Sequence, residues 1–149
     1  MTEKNTKRLI ERFPRIFKDN FYFECDDGWF DIIFDLCRDM QQEVNNSGCE
    51  QVVAAQVKEK FASLRFYASG GNEVTNAMID KYSKLSMEVC ELTGGRGYTC
   101  QKNGWYKTLN REYAKGEEFC ECATSKDFYV SRNYVPYKDV PKQESDENE

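Results

Sequence analysis

Residues 94–116 carry Arg96, Lys102, Lys107, Arg111 and Lys115 against a single acid, Glu112, a local charge of +4. Tyr98, Trp105, Tyr106 and Tyr113 are interleaved with them. Cations set among ring faces suit an anion that itself carries a ring: a nucleotide, a cyclic or ADP-ribose-type signal, or single-stranded nucleic acid. Gly94, Gly95 and Gly97 would let backbone N–H groups approach a phosphate. Arg96, Lys107 and Arg111 are expected to pair with phosphates and Trp105 or Tyr106 to stack on a base, with Lys102 alongside. Lys58 and Lys60 would share one face of a strand, and Arg65 stands beside Phe66-Tyr67. Lys60 and Arg65 are therefore taken with the hairpin cations as ligand-binding residues. A solvated face of charge explains the same residues without a ligand.

Other chemistry is narrowed by what is missing. The chain has no histidine, which excludes Ser-His-Asp and Cys-His catalysis, imidazole general bases and His-ligated zinc. Asp26, Asp27 and Asp31 cluster ahead of Trp29 and could hold a divalent cation, but acids at a helix start also balance its dipole. Gly70-Gly71-Asn72 offers an anion site before a helix, or simply a turn and a cap. Seven cysteines are expected as reduced thiols or small apolar residues. A ligand set of Cys90, Cys100, Cys120 and Cys122 is conceivable; Cys37 lies on an apolar stripe and reads as core. No cofactor and no catalytic residue is assigned.

These residues need elements to position them. Leu9, Ile10 and Phe13 predict a helix over 4–13, ended by Pro14; residues 16–25 read as a loop or short strand. Trp29, Ile32, Ile33, Leu36, Cys37 and Met40 predict a helix over 29–42, ended by Asn45-Asn46-Ser47-Gly48. Strands are predicted over 50–57 and 63–68. A helix capped by Asn72 should bury Val74, Met78, Tyr82, Leu85 and Val89 and end near Cys90. Asn103-Gly104 predicts a hairpin between 98–101 and 105–108, followed by a short helix over 109–115. Residues 117–137 read as an extra strand or a packed arm, with Phe128, Tyr129, Tyr134 and Tyr137 available for an interface. The order points to α+β, not to a doubly wound sheet. A single compact domain is expected over 1–137: a small antiparallel sheet, two main helices packed on it, and a C-terminal β-hairpin region.

The whole chain has 149 residues and a net charge of −5. Residues 138–149 hold five acids and two lysines and read as an acidic disordered tail, leaving −2 for the rest. This balance argues against a general nucleic-acid binder. No apolar run approaches the ~18–20 residues that span a bilayer, and no basic start leads into an apolar stretch. No membrane partner and a cytoplasmic location are expected.

Three segments together resemble a family of small proteins encoded by tailed phages and prophages. They are Glu24-Cys25-Asp26-Asp27-Gly28-Trp29-Phe30; Gln56-Val57-Lys58-Glu59-Lys60-Phe61 with Leu64-Arg65-Phe66-Tyr67; and Cys90-Glu91-Leu92-Thr93-Gly94 with Gly104-Trp105-Tyr106-Lys107-Thr108-Leu109. The resemblance covers roughly 11–114. It implies a phage origin, hence the host cytoplasm, and little about mechanism. The family's third segment reads as a zinc knuckle, Cys-x-x-Cys followed by Cys-x-x-His. The matching positions here are Cys90, Thr93, Asn110 and Tyr113, and Thr, Asn and Tyr cannot replace thiolate and imidazole in a closed zinc site.

Three functions follow as expectations. One is a non-enzymatic phage accessory protein that counters host immunity by sequestering a nucleotide second messenger or occluding a host defence protein. Another is a nucleic-acid module derived from a zinc-knuckle ancestor. The last is a carboxylate or cysteine enzyme acting on phosphoesters, for which no motif speaks. The first is preferred; a plain protein–protein inhibitor and a homo-oligomer stay open.

Overall fold

A computed structural model describes residues 1–122. The fold is α+β, with two small sheets. Helix α1 (Glu3–Arg12) begins at a Thr2 cap whose side chain accepts from Asn5 N. Residues Phe13, Ile16 and Phe17 then turn inward. Strand β1 (Phe23–Glu24) follows, and a 3-10 turn (Asp27–Trp29) leads into α2 (Phe30–Ser47). The α2 stripe is the one its sequence predicts: Ile32, Ile33, Leu36, Cys37 and Met40 are fully buried. Gly48, at φ 73°, ends the helix, a conformation glycine adopts at little cost.

Strands β2 (Val53–Lys60) and β3 (Ser63–Ser69) form an antiparallel hairpin, and β1 adds to β2 in parallel. The first sheet is thus mixed, where an antiparallel one was expected. The order is β1-β2-β3. Strand β2 runs three residues beyond its expected end, because Phe61 and Ala62 make the turn with φ of 50° and 64°. Helix α3 (Glu73–Ser86) packs on α2 and on β3. Asn72 and Thr75 form a reciprocal capping box at its start. Of its expected stripe Tyr82 and Val89 are buried and Met78 and Leu85 pack against the core, while Val74 is exposed and Thr75 and Ser86 are buried beside them. The reason is polar. Ser83 donates to Leu64 O at 2.8 Å, Ser86 accepts from Leu64 N at 2.8 Å, and Tyr82 donates to Asp39 at 2.7 Å. These bonds fix the helix to β3 and α2. It ends at Ser86, so Val89 and Cys90 lie in the following loop.

The second sheet has order β5-β4-β6, with β4 (Tyr98–Lys102), β5 (Trp105–Leu109) and β6 (Cys120–Glu121). The hairpin turns on Asn103 and Gly104, at φ 50° and 82°, as a two-residue primed turn requires. Helix α4 (Arg111–Gly116) starts at Asn110, whose side chain accepts from Glu112 N and Tyr113 N. A small core of Cys90, Cys100, Leu109 and Ala114 lies beneath. The expected arm thus contributes β6; the interface aromatics Phe128, Tyr129, Tyr134 and Tyr137 and the acidic tail lie outside the described residues. No helix among the described residues is long and apolar enough to cross a membrane.

Candidate functional site

Backbone contacts hold the two sheets in one arrangement. Gly28 N donates to Glu91 O at 2.7 Å, and Trp29 Nε1 donates to Val89 O at 2.8 Å. A Cβ on Gly28 would lie 2.1 Å from Cys90 O, so only glycine fits there. Glu91, 1% exposed, takes Asp26 N at 3.2 Å and Lys107 Nζ at 3.0 Å. Lys107 Nζ also lies 3.7 Å from Glu59. Burial pushes the Glu91 carboxyl up to about 7 even against the attraction of Lys107. Burial also works to lower the Lys107 ammonium, but Glu91 and Glu59 outweigh it and hold Lys107 above its ordinary value. Finally, Thr108 Oγ1 donates to Ala62 O at 2.6 Å, pinning the turn of the first hairpin to β5.

The consequence is a cleft of about 410 Å³ between the two hairpin tips, lined by Lys58, Glu59, Lys60, Phe61, Asn103, Gly104, Trp105 and Tyr106. Trp105 is 74% exposed and Phe61 68%. Tyr106 is exposed as well, and the Lys60 ammonium lies 5.7 Å from the Phe61 ring centre. Lys58 and Lys60 make no ion pair with any described residue. Three aromatic rings and two uncommitted ammonium groups thus face one opening. Its single carboxylate, Glu59, is held by Lys107 and by Ala62 N at 3.3 Å.

The sequence-predicted residues divide sharply. Trp105, Tyr106 and Lys60 meet at this cleft, and Arg65 lies beside Lys58 on the same sheet. Lys107 is placed elsewhere, spent on Glu91 and Glu59. Arg111 makes two bonds to Glu121, at 3.0 and 3.2 Å, and its guanidinium lies 3.8 Å over the Tyr98 ring. Arg96 lies 3.6 Å from Glu88 and packs against the same ring. Lys102 donates to Glu117 O at 2.9 Å. Arg96, Lys107 and Arg111, expected to meet phosphate, thus each have an acid as partner among the described residues. Nor is the glycine loop a phosphate cradle. Gly94 N donates to Cys90 O, Gly95 N to Thr93 Oγ1 and Gly97 N to Glu88 O. At α3 the Gly71 and Asn72 amides are likewise used, so that turn is a cap.

Two further constellations resolve structurally. Asp27 accepts from Thr2 N, Thr2 Oγ1 and Asn5 Nδ2, anchoring α1. Partial desolvation opposes ionisation there, but these bonds prevail and hold the carboxyl below its ordinary value. Cys90 Sγ accepts from Thr93 N at 3.3 Å, and Asn110 caps α4, so hydrogen bonds hold the loop after α3 and the start of α4. Cys100 Sγ donates to Tyr98 O at 3.2 Å, and burial raises its thiol to about 11. Among the described residues no group of three or more His, Cys, Asp or Glu converges as a metal site. Phe61 and Lys58 are the cleft's aromatic and cationic residues missing from the expected binding set. Phe61 was missed because strands expected over 50–57 and 63–68 hid a two-residue turn at 61–62.

No protein-family model, no curated protein and no solved structure matches the chain.

Proposed function

We propose that the protein is a non-catalytic binder of a nucleotide-type ligand, held in the cleft between the two hairpin tips. The observation that carries this reading is the meeting of Trp105, Phe61 and Tyr106 with Lys58 and Lys60, cations without an acid partner among the described residues. A base would stack on the exposed rings while the ammonium groups meet phosphate. Sequestration needs a snug, partly apolar site and a few charges, not a catalytic pair. The lone carboxylate at the cleft is already engaged, which leaves no free general base beside the ligand. The resemblance to phage proteins supports a role in countering host immunity by removing such a signal in the host cytoplasm.

Intrinsic fluorescence tests the site. Trp29 is fully buried and Trp105 is not, so quenching by an added ligand reports on the cleft. Titration with nucleoside phosphates and cyclic dinucleotides is expected to quench saturably, and Lys58→Ala with Lys60→Ala should weaken binding about tenfold or more while circular dichroism stays unchanged. A panel that leaves the emission untouched, or equal affinity in the folded double variant, contradicts the reading.

A further inference from the structure

A second depression lies along β2 beyond Lys58. Successive outward positions of β2 place Gln56 two residues from Lys58 and Lys60 two residues beyond it. Gln56 is registered with Tyr67 on β3, and Lys58 with Arg65. Tyr67 and Tyr22 line this depression, of about 690 Å³, with Lys18, Glu24 and Gln56. Both rings are exposed, Tyr22 at 77% and Tyr67 at 47%. Gln56 and Lys60, the β2 positions beside the two groups of rings, are about 13 Å apart at the ~3.3 Å rise of a strand.

Between them lies an electrostatic problem. Lys58 and Arg65 are directly opposed like charges, an arrangement that destabilises a sheet. Neither side chain forms an ion pair with a described residue. Glu24, registered with Lys58 on the other side, is bonded to Gln56 Nε2 at 2.7 Å instead. An anion lying across β2 and β3 would relieve the repulsion.

We infer that this face binds a single-stranded oligonucleotide of two or more nucleotides, with one base on Trp105 and Phe61, another on Tyr67 and Tyr22, and the intervening phosphate on Lys58 and Arg65. This rests on the nucleotide reading of the cleft and extends it to a ligand longer than a mononucleotide reaches. Rings on either side of a cation pair, gathered from β2, β3 and the segments beside them, are the chemistry of a single-strand platform. The overall charge of −5 does not oppose it, since Lys18, Lys58, Lys60 and Arg65 outnumber Glu24 and Glu59 along this track.

Calorimetric titration of the full chain with a mononucleotide, a dinucleotide, a tetranucleotide and a duplex tests the inference. Affinity is expected to rise at least tenfold from mononucleotide to tetranucleotide, with a steeper salt dependence for the longer ligand, and the duplex should bind no better than the mononucleotide. Tyr22→Ala and, independently, Tyr67→Ala should return tetranucleotide affinity to the mononucleotide level without altering mononucleotide binding. Trp105→Ala should weaken both. Affinity flat with length, preference for the duplex, or indifference of both folded variants overturns the extended track, while Trp105-dependent mononucleotide binding keeps the cleft. Absence of binding by every ligand overturns both.

Discussion

Phe61 holds a left-handed backbone, at φ 50°, with its ring in solvent. A bulky residue there costs roughly 1–3 kcal/mol, and Asn is the ordinary choice for such a turn. The turn survives because Ala62, its other member, is buried and its carbonyl is held by Thr108. A ring kept outside at the expense of stability is what a binding residue looks like. Phe61→Asn is therefore expected to raise stability by about 0.5–1 kcal/mol in chemical denaturation while weakening nucleotide binding several-fold. Equal affinity, or lower stability, would separate Phe61 from the site. None of this was legible from the residue itself. Trp105 and Tyr106 were, because Asn103-Gly104 declares its hairpin and the rings beside such a turn have little to pack on. The partners of Lys107 and Arg111 were not, since Glu59 and Glu121 lie far away in sequence.

At the scale of elements, Glu91 joins three sequence segments, 24–30, 56–67 and 90–109. It bonds Asp26 in the first and Lys107 in its own segment, and Lys107 reaches Glu59 in the second. Those motifs therefore read as the joint between the two sheets, and the site is what the joint leaves open. The joint has a pH signature. With the Glu91 carboxyl near 7 in the folded chain and 4.5 as its ordinary value, the native state binds more protons than the unfolded one between those pH values. Stability contributed by this group is present at low pH and is lost as pH rises through about 7. Asp27, shifted the other way, contributes stability that is lost only below its ordinary range, outside this window. Urea unfolding at pH 5, 6, 7 and 8 is expected to show a decline of about 1–3 kcal/mol, and Glu91→Gln should flatten it. A decline that persists in the Gln variant would place its origin elsewhere. The elements themselves were largely legible: α2 from its apolar stripe, α3 from the Asn72 cap, β4 and β5 from their turn. The burial of Ser86 and the exposure of Val74 on α3 were not, because serine hydroxyls bonding Leu64 leave no mark in an apolar stripe.

At the scale of the molecule, composition describes the fold better than the site. Zero histidines and an α+β order narrowed the chemistry, and the structure keeps that order. Net charge pointed away from nucleic acid, yet charge acts locally: Arg96, Lys107 and Arg111 are each paired with an acid, while Lys58, Lys60 and Arg65 remain together on the other sheet. Only the folded chain shows which cations have acids. The most direct test is native mass spectrometry of the full chain purified gently from cells, then mixed with nucleotides and short oligonucleotides. Sequestration predicts an adduct of nucleotide or oligonucleotide mass, released unaltered on denaturation and absent from Trp105→Ala. A chain that emerges bare and stays bare with every nucleotide offered, or one that returns the ligand hydrolysed, would contradict it.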